Sequence, residues 1–291
     1  MGRISRPQFF LWRMAFAAVV VVAMVGGPWA VAAGPAYPVA IVVDKAGVIY
    51  LADRDLPGIW RWEGRRLSLV FQGSKKFRTP LNAVRCLALD REGRLLAGDS
   101  ATCDVYRVDA QGRAQPLTAQ GKPYGQIGIP MGIAVDAEGR LLVSDLELHR
   151  IVRVPKEGGA VEPFAAVQAP RGLFLDAKNQ LWVISGRRLL RIAASGEPPT
   201  TIVDDGVFQY PHAVAVTDDG TAYVVDGYAK AVWKIAPGQK AEKWANGEPF
   251  DNPVGIAIHA GRWFVVDPRA GALFELDEAG KPTRRSWTAT K

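Results

Sequence analysis

The chain has 291 residues, of which 48% are hydrophobic and 22% are charged, as in globular proteins with a large core. Its formal charge is +7, and the first 33 residues contribute three arginines and no acidic residue, which leaves +4 for the rest. The remaining charges are well mixed, with no block of one sign, and this excludes the basic arm typical of a nucleic-acid-binding protein.

The N-terminal segment has the pattern of an export signal. Three arginines precede an apolar run from Met14 to Val25, Gly26-Gly27-Pro28 interrupts the run, and small residues follow up to Ala33. This order predicts a signal peptide over residues 1–33 and an extracytoplasmic location, periplasmic or secreted, for the rest. The alternative is an uncleaved anchor, because residues 14–33 are nearly long enough to span a bilayer. Membrane contact is then expected only through this segment.

A short phrase recurs six times along the remainder of the chain. In its third copy, Pro130–Asp136 and Gly139–Asp145 alternate aliphatic residues around an acidic turn. The acidic turns or their equivalents follow one another at steps of 46, 46, 40, 41 and 42 residues. They lie at Asp44, Asp90, Asp136, Asp176, Thr217 and His259. A strand-rich period of this size predicts a closed ring of similar sheets.

Each repeat holds four short strands separated by turn residues. In the third copy these are Gly132–Val135, Arg140–Val143, Ile151–Val154 and Val161–Phe164. We therefore predict an all-β fold over residues 34–291, a six-bladed β-propeller with four antiparallel strands per blade. Residues 39–289 supply every strand, so we expect the ring to close by side-to-side packing, without exchanged terminal strands.

One position of the third strand carries a large apolar residue in most copies. We expect these side chains to pack between blades rather than to stack on a cofactor. They are Trp60, Tyr106, Val152, Leu190, Trp233 and Phe274.

The repeats resemble those of the NHL family of six-bladed β-propellers. The best match is Ile129–Asp145 followed by Leu148–Val154, and the resemblance covers the whole chain after the export signal. It implies the propeller fold but no single activity, because such rings serve as binding platforms, sensors, lyases and lactonases.

Both cysteines, Cys86 and Cys103, lie in the second repeat. An exported protein meets oxidising conditions, so an even number of cysteines permits one disulfide. Two free thiols are the alternative.

One face of the ring is the better place for a ligand. The loops before each first strand and between the second and third strands emerge together, and we call this side the mouth face. Function is expected there because these loops are the longer ones. The residue after the proline position in each first strand lines the channel, and we expect Val39, Arg85, Met131, Arg171, His212 and Val254 there. The next position is always small: Ala40, Cys86, Gly132, Gly172, Ala213 and Gly255.

Three of these channel residues are potential cations, and none is acidic. Arg85, Arg171 and His212 thus predict a mouth that favours anions. The alternative is that the arginines pair with the aspartates that end the second strands, Asp53, Asp99, Asp145, Asp226 and Asp267. Those aspartates are either a ring of ligands for a metal or sugar, or acceptors for amides of their own loops, and their regular repetition favours the second role.

The fourth blade departs from the pattern in its loop after the second strand. From Ser185 to Leu189 it is two residues shorter than its equivalents and reads Gly186-Arg187-Arg188. We expect a notch beside Arg171, edged with the guanidinium groups of Arg187 and Arg188. Arginine's planar fork suits carboxylate, phosphate or sulfate.

Three enzyme families with similar rings provide tests by residue type. Gluconolactonase-like propellers hold a divalent metal such as calcium with carboxylate and amide ligands, whereas here only Asn82 and Asn252 approach the channel. Amidating lyases use several histidines around zinc, and here only His212 is suitably placed. Streptogramin lyases carry a Pro-His-Gly phrase, which Tyr210-Pro211-His212-Ala213 resembles, but their further histidine and glutamate have no counterpart in phase.

The sequence therefore favours a non-catalytic platform for an anionic small molecule, glycan or protein, without a predicted cofactor or metal site. The ligand-binding candidates are Arg85, Arg171, Arg187, Arg188 and His212. The alternative is a lactonase-like or lyase-like enzyme on the same face, with His212 as the residue placed for acid–base catalysis and calcium as the metal.

Overall fold

The computed structural model describes residues 34–55, 57–76, 78–193, 198–286 and 288–289. The predicted export signal, residues 1–33, lies outside them. Within the described part every regular element is a β-strand, and no helix there is long and apolar enough to cross a membrane.

The strands form six sheets, one for each repeat. Blade 1 contains β1 (Pro38–Val43), β2 (Ile49–Asp53), β3 (Gly58–Glu63) and β4 (Arg66–Gln72). Blade 2 contains β5 (Val84–Leu89), β6 (Leu95–Asp99), β7 (Asp104–Val108) and β8 (Ala114–Pro116). Blade 3 contains β9 (Pro130–Val135), β10 (Leu141–Asp145), β11 (Arg150–Val154) and β12 (Glu162–Ala166). Blade 4 contains β13 (Pro170–Leu175), β14 (Leu181–Ser185), β15 (Arg188–Ile192) and β16 (Thr200–Val203). Blade 5 contains β17 (Pro211–Val216), β18 (Ala222–Asp226), β19 (Ala231–Ile235) and β20 (Glu242–Asn246). Blade 6 contains β21 (Gly255–His259), β22 (Arg262–Asp267), β23 (Ala272–Leu276) and β24 (Pro282–Arg285), and β25 (Thr288–Ala289) follows.

Each blade is an antiparallel meander whose strands pair in chain order from the first to the fourth. The first strands contact one another in sequence, and β21 contacts β1, which closes the ring. The predicted six-bladed β-propeller with four antiparallel strands per blade is confirmed.

The hydrophobic core is divided into six clusters, each between two neighbouring blades. The one between blades 5 and 6 is built around Phe274, which is fully buried and meets Phe250 edge to face at 5.3 Å between ring centroids. The predicted third-strand residues are in register, opposite Leu51, Ala97, Val143, Val183, Val224 and Val265 respectively. Each belongs to, or packs against, a different cluster. The prediction that they pack between blades is confirmed.

Buried aspartates at the ends of five second strands hold the loops of the mouth face. Asp226 accepts hydrogen bonds from the backbone amides of Gln209 and Tyr210, before the first strand, and of Ala229, after the second. Asp267 does the same for the amides of Asp251 and Asn252 and for those of residues 269 and 270. The expected role as acceptors for loop amides is confirmed, and each carboxylate joins two loops rather than one.

The ring closure differs from the prediction in one respect. As expected, β1 is the inner strand of blade 1 and takes no part in blade 6. However, β25 pairs in parallel with β4 and adds a fifth strand to blade 1, so the expectation of no exchanged terminal strand is wrong. Blade 6 is complete at Arg285, and the chain beyond it reaches the unpaired backbone groups of a neighbouring outer edge.

Truncating the core between blades tests this packing. Phe274→Ala removes a fully buried ring from the cluster between blades 5 and 6, and we expect it to lower the free energy of unfolding by about 3–5 kcal/mol. Leu69→Ala, on the outer strand β4 where Leu69 is 39% exposed, is the control and should cost about 0.5 kcal/mol or less. Urea unfolding measures both. Equal losses would contradict the assignment of the core to the blade interfaces.

Candidate functional site

The first strands line the central channel, and a cavity of about 250 Å³ opens from it on the mouth face. The small residues predicted at the second position all line it: Ala40, Cys86, Gly132, Gly172, Ala213 and Gly255. Of the residues predicted at the first position it contains Val39, Arg85, Met131, His212 and Val254. We call this the mouth cavity.

The floor of the mouth cavity is apolar. Its deepest residues are Ile41, Leu87, Ile133, Leu173, Val214 and Ile256, which also line a cavity on the opposite face. That opposite cavity is lined entirely by hydrophobic residues. The polar side chains that line these two cavities are therefore all on the mouth face.

Two arginines of neighbouring blades share the mouth cavity. Arg85, on β5, donates from Nε to Ser100 Oγ at 2.9 Å, and Arg54, in the loop after β2, lies with its guanidinium carbon 5.3 Å from the centre of the Tyr37 ring. Among the described residues no ion pair within 4.0 Å includes either arginine. Arg85 therefore forms no ion pair with Asp99, which binds loop amides, although the charge of Asp99 still acts on Arg85 from a greater distance.

The two positive charges act on each other. Partial burial of Arg85 lowers the pKa of its guanidinium, and the nearby charge of Arg54 lowers it further. An arginine stays charged despite such a shift. The mouth cavity thus holds two cations whose repulsion an anion would relieve.

Sequence reasoning did not identify Arg54. A signal was available, because Arg54 directly follows the buried Asp53 and thus lies in a loop of the mouth face. Only the fold shows that this loop approaches Arg85 of the next blade.

Arg171 lies beside the mouth cavity rather than in its wall. Its guanidinium stacks over the Tyr210 ring at 4.1 Å and donates to Tyr210 Oη at 2.8 Å. Tyr228, which is 62% exposed, also stacks on Tyr210, with 4.8 Å between the ring centroids. The alternative that Arg171 pairs with an aspartate at the end of a second strand is not found among the described residues. The guanidinium contacts Tyr210 instead.

His212 lines the mouth cavity opposite Arg85. Its ring meets Tyr210 edge to face at 4.9 Å, and its Nε2 and the Asn252 Oδ1 both lie so close to Gly227 that a Cβ at that position would contact them. Burial, and then the charge of Arg171, lowers the pKa of His212 to about 4. At neutral pH its imidazole is therefore neutral, and the mouth has no third cation at this position.

Arg187 and Arg188 are not part of the mouth cavity. The turn between β14 and β15 is indeed short, with Ser185 paired directly to Arg188. Arg187 forms an ion pair with Asp205 at 3.3 Å, and Arg188 forms one with Asp204 at 3.1 Å. The structure thus gives both guanidinium groups carboxylate partners, and their contact with a ligand stays a prediction.

A second cavity of about 390 Å³ adjoins the first between blades 1 and 2. Val39, Arg54 and Arg85 line both, and the second adds Lys75, Asp55 and Asn82. We call this the outer cavity. Lys75 comes from the long loop between β4 and β5, a position without a counterpart in the repeat, which is why the repeat pattern did not identify it.

Neither a metal centre nor a disulfide is formed by the described residues. No three histidine, cysteine or acidic side chains there come together in a way that would hold an ion. Asn252 lines the mouth cavity and Asn82 the outer one, so the two amides are in different places. Cys86 and Cys103 are free, and burial raises the pKa of the Cys86 thiol to about 12.

Comparison with known proteins supports the fold and leaves the activity open. No family model matches the chain. Peptidyl-glycine alpha-amidating monooxygenases A and B of Xenopus laevis are 57% identical over 35 residues, which is 12% of this chain and only 4% of theirs. The chain thus spans a very small part of the curated relatives it matches.

Solved structures are similar over most of the chain. Virginiamycin B lyase of Staphylococcus aureus matches with a TM-score of 0.65 and 17% identity over 88% of this chain and 86% of its own. A gluconolactonase of Xanthomonas campestris gives 0.66 and 15% over 84% and 86%. A chain of the nidogen/laminin complex gives 0.66 and 17% over 78% and 89%. Identities this low show the propeller fold alone, and these proteins include both enzymes and a binding protein.

The burial of His212 predicts a pH-dependent stability. The pKa of His212 is about 4 in the folded protein, whereas an unburied histidine has a pKa of 6.5. As pH falls, the unfolded chain therefore binds the proton first. Stability is therefore lost between pH 6.5 and pH 4, by about 2–3 kcal/mol between pH 7.5 and 4.5. His212→Gln should remove this part of the pH dependence in urea unfolding. His259→Gln, on the opposite face, is the control, and an unchanged slope in the His212 variant would contradict the assignment.

Proposed function

We propose that the mouth cavity binds a small anionic ligand or the acidic end of a larger one, and that the protein is an exported binding platform. The observation that supports this most directly is the pair Arg54 and Arg85. They share one cavity, and no carboxylate partner is found for either among the described residues.

Arg54 and Arg85 have no carboxylate partner among the described residues, so no ion pair compensates their mutual repulsion. Both arginines are exposed, so water and salt screen part of their repulsion, which is strongest at low ionic strength. A cleft of one charge sign concentrates ligands of the opposite sign. Two guanidinium forks provide several donors, a good match for the oxygens of a carboxylate, phosphate or sulfate.

The other wall of the cavity would orient the ligand rather than attract it. The neutral His212 and the amide of Asn252 supply hydrogen-bonding groups without charge. Tyr210 holds Arg171 beside this wall, which keeps a third positive charge near the mouth. A cavity of about 250 Å³ is below the range of pockets that enclose drug-sized molecules, so it accommodates one small acidic group or ring.

The proposal also includes the location of the protein and the class of its partner. The N-terminal pattern supports a location outside the cytoplasm, where small anions, acidic glycans and proteins are available as partners. No cofactor is needed for this function.

A second candidate function is catalysis by His212. It is favoured by one observation, the unprotonated imidazole in the wall of the mouth cavity, which is the form a general base requires. Against it, no carboxylate among the described residues hydrogen-bonds to His212, and Asp226, whose charge acts on the imidazole, binds loop amides instead. The similarity to a lyase and a lactonase over most of the chain is compatible with this alternative at the level of the fold.

Neutralising Arg85 tests the binding proposal. We expect Arg85→Gln to weaken galacturonate binding about tenfold to a hundredfold, because a charge-assisted hydrogen bond contributes about 1.5–3 kcal/mol. Isothermal titration calorimetry at low ionic strength measures the change. The control is Arg65→Gln, an exposed arginine in the β3–β4 turn on the opposite face, which should bind as the wild type does. Equal affinities of all three proteins would overturn the proposal.

Metal analysis separates the two candidate functions. The binding proposal expects purified protein to hold much less than one divalent ion per chain, and EDTA to leave galacturonate binding and the melting temperature unchanged. The lactonase-like alternative expects one tightly held calcium or similar ion per chain. Mass spectrometry of the metal content decides, and a stoichiometric ion would favour the enzyme.

A further inference from the structure

The outer cavity continues the mouth cavity across the two unpaired arginines. Arg54 and Arg85 line both spaces, so a group bound between them faces the channel on one side and the outer cavity on the other. The second space, of about 390 Å³, is the larger. Together the two fall within the range of pockets that hold drug-sized ligands, whereas the mouth cavity alone does not. The ligand is therefore expected to have more than one unit.

The side chains of the outer cavity differ from those of the mouth cavity. Lys75 brings one positive charge and Asp55 one carboxylate. Asn82 donates one hydrogen bond to the Ser74 carbonyl and has a second N–H and its amide oxygen for a ligand. Lys75 and Asp55 are exposed, and neither takes part in an ion pair among the described residues. Such a set binds a unit that carries an acidic group together with hydrogen-bond donors.

A sugar acid has both features in each unit. Its carboxylate suits Lys75, and its hydroxyl groups can donate to Asp55 and exchange hydrogen bonds with Asn82. An acidic peptide also carries one carboxylate per unit, but it offers a single backbone N–H donor per unit, whereas a sugar acid offers at least two hydroxyl groups. Asp55 and Asn82 together can accept from two donors of one unit, and this favours a hydroxylated polyanion.

We propose that the ligand is an acidic oligosaccharide built of uronic acid units. One carboxylate lies between Arg54 and Arg85, and the adjoining unit occupies the outer cavity beside Lys75, Asp55 and Asn82. This inference rests on the proposed anion binding at the mouth cavity and adds to it the class and minimum length of the ligand.

The test compares the affinities of one sugar acid as a monomer and as a trimer. Titration calorimetry with galacturonate and trigalacturonate is carried out on the wild type, Lys75→Ala and Asp55→Ala. We expect the wild type to bind the trimer about tenfold more tightly than the monomer, since one further charge-assisted contact contributes about 1.5 kcal/mol. In Lys75→Ala this advantage should fall to about twofold or less, with monomer affinity unchanged. Asp55→Ala should also weaken only the trimer.

Controls keep the outcomes distinct. Lys45→Ala, an exposed lysine in a turn of the opposite face, should behave as the wild type. Circular dichroism and melting curves confirm that the exposed substitutions leave the fold intact. Triglutamate replaces the sugar as an acidic peptide of the same number of units.

Each result decides one question. A monomer that binds through Arg85 while the trimer gains nothing would overturn this inference and leave the anion site standing. The absence of measurable binding of either ligand to the wild type, or binding that Arg85→Gln does not weaken, would overturn the proposed function itself. Triglutamate bound as tightly as trigalacturonate, with the same sensitivity to Lys75→Ala, would overturn the assignment to a saccharide in favour of an acidic peptide.

Discussion

The hydrogen bonds of the buried second-strand carboxylates are the constraint on which the mouth face depends. Each of these aspartates is almost completely buried and bonds amides from two loops that are distant in the chain. Removing a carboxylate would leave buried amide donors unpaired, which is costly, so the loops are fixed in place. Blade 4 has Ser185 there instead, whose hydroxyl donates to the Gln168 carbonyl, and its following turn is the short one.

A second constraint, the close approach of the first strands, shapes the channel. A Cβ at Gly132 would lie 2.7 Å from the backbone of Arg171 and Leu173 on the next blade, so only a residue without a side chain fits. The neighbouring position along each strand is free of this crowding and varies from valine to arginine and histidine. The scaffold and the chemistry of the mouth are thus carried by adjacent residues, which explains how one fold can host different ligands.

Charge compensation differs between the proposed site and several other arginines that lie beside acidic turns or second-strand aspartates. On the opposite face the arginines of the acidic turns are paired, Arg94 with Asp90 and Arg140 with Asp136, each at 2.7 Å. On the mouth face Arg150 is held by Asp145 at 3.1 Å. Arg54 and Arg85 differ from these, since Asp53 and Asp99, at the ends of the second strands of their blades, accept from loop amides instead. Such local departures from a consistent pattern are expected at functional sites.

The sequence by itself determined the propeller, its six blades and, except for Arg171, the residues that line the channel at the mouth. Alternation along a strand has a period of two, and the repeated phrase fixes the register, so the places of Arg85 and His212 followed from local pattern alone. Only the tertiary structure decided which cations are free. Arg171 is held by Tyr210, and Arg187 and Arg188 are paired. Loops instead supply Arg54 to the mouth cavity and Lys75 to the outer cavity. Loop conformations and contacts between blades bring these groups together, and such long-range approach leaves no periodic signal in the sequence.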